Sequence, residues 1–208
     1  PGTTQMDQLV VRLLHSTRNS FDSEQNFVDF KPESLFFGRT DAIDLAPAIE
    51  NQINIDLCKN TKQIRLTIIG LPTPQARSNL YPQMEVYMQA GNGSYDFWNG
   101  HETDGDIYTY VQRDIDCETE DHQKSVVHTL KLSLENDHPI TIRNNETSRT
   151  FYAADILRDF IRKVPAYATQ DAIDAEDTFE ITMDVRSPLG VSITVNGWNV
   201  GISGNIIQ

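Results

Sequence analysis

Cysteine is scarce: two residues, Cys58 and Cys117, in a chain of 208. That excludes a disulfide scaffold. Cys117 continues the alternation of Val111 and Ile115 and reads as a buried free thiol, whereas Cys58 falls on the opposite phase from Ile53, Ile55 and Leu57. No apolar run is long enough to span a bilayer. Basic residues are also few, 17 Lys and Arg against 30 Asp and Glu, and they are not clustered. The net charge of −13 therefore argues against nucleic acid, whose backbone is neutralised by grouped cations. An acidic balance of this kind reads as a solvated surface.

Signatures of chemistry are missing as well. The five histidines (His15, His101, His122, His128 and His138) form no metal-ligand spacing with one another or with cysteine. His128 is in phase with Leu130 and Leu132 and is expected as a core or half-buried histidine. Asp104-Gly105-Asp106 lacks the further ligands and closing glutamate of a calcium loop. There is no Gly-x-Ser-x-Gly, no phosphate-cradling glycine loop and no zinc-protease helix. No pair of carboxylates stands in an apolar setting that would raise one pKa for acid catalysis. No catalytic, cofactor-binding or metal-binding residue is therefore assigned, no cofactor is expected, and the chain does not read as an enzyme.

What the chain does have is period two. Phe179, Ile181, Met183 and Val185 alternate with Glu180, Thr182, Asp184 and Arg186, the mark of a strand with one buried face. Ser187-Pro188-Leu189-Gly190 turns the chain into Val191, Ile193 and Val195. Asn196-Gly197 then gives either a two-residue hairpin, with Val195, Trp198, Val200 and Ile202 on one face, or a glycine bulge in one continuous strand. In both readings Trp198 is expected to bury a large apolar area.

Earlier in the chain, Leu9, Val11 and Leu13 suggest a strand, and a polar stretch runs to Phe30. Ile53, Ile55 and Leu57 predict one face of a strand; Ile64, Leu66 and Ile68 predict another with changed parity, so Lys59–Lys62 must turn or bulge. Gly70–Pro82 reads as a loop. Met84, Val86 and Met88 lead through Gly91-Asn92-Gly93 to Tyr95, Phe97 and Trp98, a predicted hairpin. The charged stretch His101–Asp106 is taken as a domain boundary. Beyond it Ile107 and Val111 oppose Tyr108 and Tyr110, and Val126, His128, Leu130, Leu132 and Leu134 alternate with Val127, Thr129, Lys131 and Ser133. Pro139 opens a strand with Ile140 and Ile142, ending at a polar turn over Asn144–Ser148. Ile156, Leu157, Phe160, Ile161 and Val164 then fall at helical spacing, stopped by Pro165, and an acidic connection runs to Thr178.

Many strands, one helix and no strand–helix alternation predict an all-β fold of two antiparallel β-sandwich domains. Residues 1–103 form the first and residues 104–208 the second, with the helix near 154–164. The chain opens at Pro1 without an initiator Met or signal peptide and is expected to be a trimmed piece of a longer protein. Tyr81, Tyr87, Tyr108 and Tyr110 could form a sugar-stacking platform, although alternating tyrosines more often pack within sheets. Asn92-Gly93-Ser94 and Asn145-Glu146-Thr147 match the glycosylation sequon but are better explained as turns.

In succession, Ser34-Leu-Phe-Phe-Gly38, Leu57–Leu66, Gly93–Phe97, Pro139–Arg143, the helix Asp155–Lys163, Asp177–Ile181 and Ser192–Trp198 resemble one family. It is that of the FimB-like fimbrillin-associated anchor proteins of type V pili in Gram-negative bacteria of the Bacteroidales type. The resemblance spans roughly Met6–Val200. It implies two transthyretin-like sandwiches in a non-enzymatic surface lipoprotein. Such a protein sits at the base of a fimbrium, holds it to the outer membrane and limits its length. It also implies a lipid on an N-terminal cysteine and further N-terminal strands, neither present here, so this chain would be the C-terminal portion of an anchor. A strand-deficient sandwich exposes an edge, to which a pilin segment could add as a strand. The alternatives are a polysaccharide-binding surface lipoprotein and a fimbrial stalk or tip subunit.

Overall fold

The computed structural model describes residues 10–13, 16–20, 23–40, 52–70, 84–96, 98, 107–113, 116–119, 122–144, 150–186 and 190–203. Two six-stranded sheets dominate. The first runs β10 (Asp116–Thr119), β11 (His122–Leu130), β6 (Thr61–Ile69), β14 (Thr178–Asp184), β15 (Val191–Val195), β16 (Trp198–Ser203). The second runs β13 (Thr150–Ala154), β12 (Ile140–Asn144), β7 (Met84–Ala90), β9 (Tyr108–Gln112), β3 (Ser23–Val28), β2 (Ser16–Ser20). Two short ribbons complete the described strands: β1 (Val10–Arg12) with β8 (Ser94–Asp96), and β4 (Phe36–Phe37) with β5 (Cys58–Lys59).

The fold is mostly β, as expected, and the pairings are antiparallel except β6–β14 and β3–β9, which are parallel. The expected division at residue 103 does not separate two sandwiches among the described residues. β6 lies between β11 and β14, and β7 lies between β9 and β12, so both sheets draw strands from either side of that point. The physical cause is visible in the register. Ile64, Leu66 and Ile68 of β6 align with Phe179, Ile181 and Met183 of β14, and Ile181 and Met183 align in turn with Val195 and Ile193 of β15. All are buried, so this apolar face is completed only by strands distant in sequence. One connected core joins it to Val86, Met88, Tyr108, Tyr110, Ile140 and Ile142 of the second sheet.

Several local expectations change in this setting. The segment Gly91–Gly93 does not close a hairpin: β7 pairs with β9 and β12, while β8 pairs with β1. Asn92 is buried, donating to the carbonyls of Leu130 (3.1 Å) and Lys131 (2.8 Å) and accepting from the Tyr110 hydroxyl (2.7 Å). It thus satisfies backbone groups where β11 leaves the ladder. Gly93 lies against the Tyr108 ring, where a Cβ would come within 2.0 Å of ring carbons.

In β11 the inward face carries Gln123, Ser125, Val127 and Thr129, while Val126 and His128 stand half-buried on the other face. The expected phase is reversed because pairing with β6 places Val127 beside Ile64. Leu130 and Leu132 regain burial at and beyond the strand's end, where its alternation no longer applies. Ser16–Ser20 and residues 23–25, within the polar stretch that runs to Phe30, form most of the antiparallel pair β2–β3.

The predicted helix is present as α1 (Ile156–Lys163). Asp155 caps it by accepting from Arg158 N at 2.9 Å, and Ile156, Leu157 and Phe160 face the core. The acidic connection that follows is not unstructured. It holds a 3-10 turn (Pro165–Tyr167) and a second helix, α2 (Gln170–Ala175), capped by Thr169, which accepts from Ala172 N at 3.3 Å. At the last turn the hairpin reading holds. Asn196 (φ 48°) and Gly197 (φ 80°) form the left-handed pair that suits a two-residue hairpin. Trp198, however, is 54% exposed at the tip of this edge hairpin, with no strand described beyond β16 to cover it. The expected turns at 145–148 and 187–189, the loop at 71–82, and Asp104–Asp106, His15, His101, Tyr81 and Phe97 lie outside the described residues.

His138 links α1 to the second sheet. Its backbone N–H donates to Asp155 Oδ2 at 2.7 Å and its Nε2–H to the Ser133 carbonyl at 2.9 Å. Burial pushes its pKa below the usual histidine value, against the pull of the Ser133 carbonyl and Asp155. An unfolded histidine titrates near 6.5, so below that pH the unfolded chain binds the extra proton. The stability from neutral, buried His138 is thus full above about pH 6.5 and lost as pH falls toward the lower folded value. Between pH 7 and 5, wild-type stability should fall more steeply than that of His138→Gln, by up to about 1.4 kcal/mol per pH unit. Urea midpoints across that range check it; parallel pH slopes would contradict it.

Candidate docking surface

Three of the four tyrosines weighed as a sugar platform instead follow the favoured reading of sheet packing. Tyr87, Tyr108 and Tyr110 are buried, and Tyr110 is held by Asn92 within the core. Among the described residues no group of His, Cys, Asp and Glu could hold a metal ion, and none of their helices is long and apolar enough to cross a membrane. The exposed chemistry lies elsewhere, on the β4–β5 ribbon and its approach.

Ile53, Ile55 and Leu57 were expected on the buried face of a strand. Gln52–Leu57 instead lead into β5 outside any described strand pairing, and the three apolar side chains are 45–65% exposed. Phe36, opposite Lys59 in β4, is 54% exposed. The ribbon is fastened beyond its two paired positions by Asn60 N donating to the Leu35 carbonyl at 2.7 Å. Gly38 is needed here: a Cβ would lie 2.5 Å from Leu57 Cδ2 and 2.7 Å from Ile55 Cγ2, so these side chains lie over its bare backbone. Arg39 follows, its guanidinium 5.7 Å from the centroid of Trp98, itself 53% exposed. Grouped exposed apolar side chains of this size mark contact surfaces more often than single ones do.

Helix α2 braces the base of the ribbon. Lys62, 1% exposed, donates to the Asp174 carbonyl at 2.6 Å, and Lys131 Nζ lies 2.9 Å from Asp174 Oδ2. Gln170 Nε2 donates to Asp174 Oδ1 and to the Leu132 carbonyl, both at 2.8 Å. Burial pushes the Lys62 pKa down, opposed by Asp174 and Asp177. Lys59 reaches Asp177 at 3.9 Å. The sequence reading missed this cluster because Lys62 and Lys131 look like ordinary surface lysines. The available signal was Thr169 preceding a short helical stretch whose one large apolar residue is Ile173.

A cavity of about 60 Å³ is lined by Asp29, Phe30, Lys31, Tyr110, Gln112 and His128, among others. His128 is half-buried, as expected, and its pKa is lowered by burial first and then by the charges of Lys31, Lys59 and Arg65. The edge strand β16 carries two side-chain bonds to its own backbone. Lys163 donates to the Val200 carbonyl, and Gly201 N donates to Asn199 Oδ1 at 2.7 Å, both at the bulge between Ile193 and Thr194.

The described residues thus form a β-sandwich with a packed interior and an exposed apolar ribbon. The model of the fimbrillin-A associated anchor proteins Mfa1 and Mfa2 matches residues 1–203, and the chain belongs to that family. It is a fimbria-associated surface protein, and the family is not one of enzymes.

Solved structures share the fold. A candidate polysaccharide-binding protein from Bacteroides thetaiotaomicron VPI-5482 superposes with a TM-score of 0.72 at 17% identity, covering 100% of this chain and 69% of that one. A candidate adhesin from Bacteroides ovatus gives 0.68 at 20% identity, covering 96% and 66%. The fimbrial anchor protein Mfa2 from Porphyromonas gingivalis gives 0.66 at 16% identity, covering 95% and 68%. The chain thus spans about two thirds of the length of each. None of the curated proteins matches it in sequence.

Proposed function

We infer that this chain is part of a fimbrial anchor, a protein that attaches a fimbrium to the outer membrane and limits its length. The observation that carries the reading is the family match over residues 1–203. The exposed ribbon supports it physically, because a pilin segment adding as a strand needs reachable backbone beside apolar side chains. In the whole protein, a lipid on a cysteine preceding this chain would hold it in the outer membrane. Pilin subunits are its partners, and it carries out no chemistry on them.

The fold shared with a candidate polysaccharide-binding protein favours a glycan as the second reading. Burial of Tyr87, Tyr108 and Tyr110 removes the platform that would have served it. Affinity capture of the full-length, lipidated protein from its own cells tests the two readings. Fimbrial subunits in the captured material support the anchor. Their absence, with retention of the protein on a glycan column, contradicts it.

A further inference from the structure

The cavity of about 60 Å³ lies where β3 ends and the chain bends at Phe30, and strands of both sheets line it. Val28, Val111 and Val127, all buried, give it apolar wall, while Asp29, Lys31, Gln112 and His128 give it polar groups. The one carboxylate and the one ammonium cancel. Burial and nearby cations lower the His128 pKa, so at neutral pH the ring is uncharged, with one nitrogen donating and the other accepting. The lining thus has no net charge, yet it offers donors and acceptors side by side. Asp29 also faces Arg113 at 3.8 Å, a partly exposed pair that leaves carboxylate lone pairs for other donors. Phe30 lines the same cavity and is 46% exposed. An aromatic ring so placed covers an apolar ligand face while polar groups behind it take hydroxyls.

We propose that this cavity binds one ring of an uncharged sugar, whose hydroxyls bond to Asp29, Gln112 and His128 while a C–H face lies on Phe30. At about 10–15 Å³ for each water-sized group, 60 Å³ holds roughly four to six of them. That is one edge of a sugar ring with its hydroxyls, the remainder resting outside against Phe30. The lining argues against other ligands. A carboxylate would meet Asp29 and an ammonium would meet Lys31. An apolar group would strip water from the polar side chains without replacing its bonds. The proposal rests on the glycan reading and gives it a place that the buried tyrosines do not, and the anchor reading stands apart from it.

The test titrates the full-length protein with methyl glycosides of glucose, galactose, mannose and N-acetylglucosamine, and with the neutral polysaccharides dextran and mannan. Saturation-transfer NMR detects binding and calorimetry measures it. At least one sugar should bind, a single ring with a dissociation constant on the order of 1 mM. Phe30→Ala should weaken it by about tenfold or more, whereas Phe30→Tyr, which keeps the ring, should not. His128→Ala should weaken it by about threefold to tenfold. Salt should change the affinity by less than about twofold, because neither ligand nor lining carries net charge. Phe30 is exposed and His128 half-buried, so unchanged thermal midpoints confirm that the variants keep the fold. A glycoside that binds as tightly as the polysaccharide assigns a free or terminal ring, and binding confined to the polysaccharide assigns a ring within a chain. Loss in both alanine variants supports the cavity in either case. Glycan binding that both variants retain within about twofold overturns the cavity and leaves the glycan reading standing. Loss in only one of them overturns the pairing of Phe30 with the polar lining. An affinity that falls about tenfold with added salt means a charged ligand and contradicts the proposal. No binding of any of these sugars overturns both the cavity and the glycan reading.

Discussion

Replacing Phe160 with alanine should lower the unfolding free energy by about 3–5 kcal/mol. Phe160 is fully buried on the inward face of α1, with its ring centroid 4.7 Å from Tyr167 and 6.5 Å from Phe179, the latter edge-on. Phe179 lies beside Ile64 in the parallel β6–β14 pair, so the ring joins the helix to the middle of the first sheet. Removing it leaves a cavity between two rigid elements. The capped start of α1 and the ladder bonds on both sides of β14 oppose the collapse that would refill it. Urea unfolding with an unchanged slope and a lowered midpoint checks this. A loss below about 1 kcal/mol would mean that α1 does not pack on this sheet.

Asp174→Ala should cost about 2–4 kcal/mol, because it leaves the Lys131 ammonium buried without its carboxylate. The figure is set below the fully buried limit because the two side chains keep 10% and 18% exposure. Lys62 retains its bond to the Asp174 backbone carbonyl, so the loss falls mainly on Lys131 and on Gln170, which also donates to Asp174. Lys131→Met combined with Asp174→Leu should recover much of the loss, since a buried pair is replaced by apolar volume rather than broken. A double-mutant cycle in urea measures the coupling. If both single variants match wild type, α2 does not brace the ribbon through this pair. Asp174 and Lys62 fasten the strand that leads out of the ribbon.

The sequence made the first sheet's interior legible. Phe179, Ile181, Met183, Ile64, Leu66 and Ile68 keep strict alternation, and each proves buried. The helix at 156–163 was equally plain, since its apolar residues recur at helical spacing and Pro165 ends it. Failures came where alternation was ambiguous or where partners are far apart in sequence. Val126 and Val127 are both apolar, so only pairing with β6 decides which faces inward. Asn92 sits between two glycines, as a hairpin loop would, yet serves as a buried bridge to Leu130 and Lys131. Likewise no local pattern announces that β6 and β14, from either side of residue 103, are neighbours.

For the docking surface the sequence supplied the right residues with the wrong burial. Ile53, Ile55 and Leu57 have a strand's periodicity, and periodicity carries no sign for whether the apolar face meets a core or solvent. Gly38 marked the place, because only a bare backbone lets Ile55 and Leu57 lie across it. The family resemblance reached the right family, which the match over residues 1–203 shows.

Electron microscopy of cells lacking this protein, compared with cells that carry it, tests the anchoring role most directly. The account predicts fimbriae that are longer than normal and shed into the medium, with both defects reversed when the full-length protein is restored. Fimbriae of normal length that remain attached to the deleted cells would contradict it.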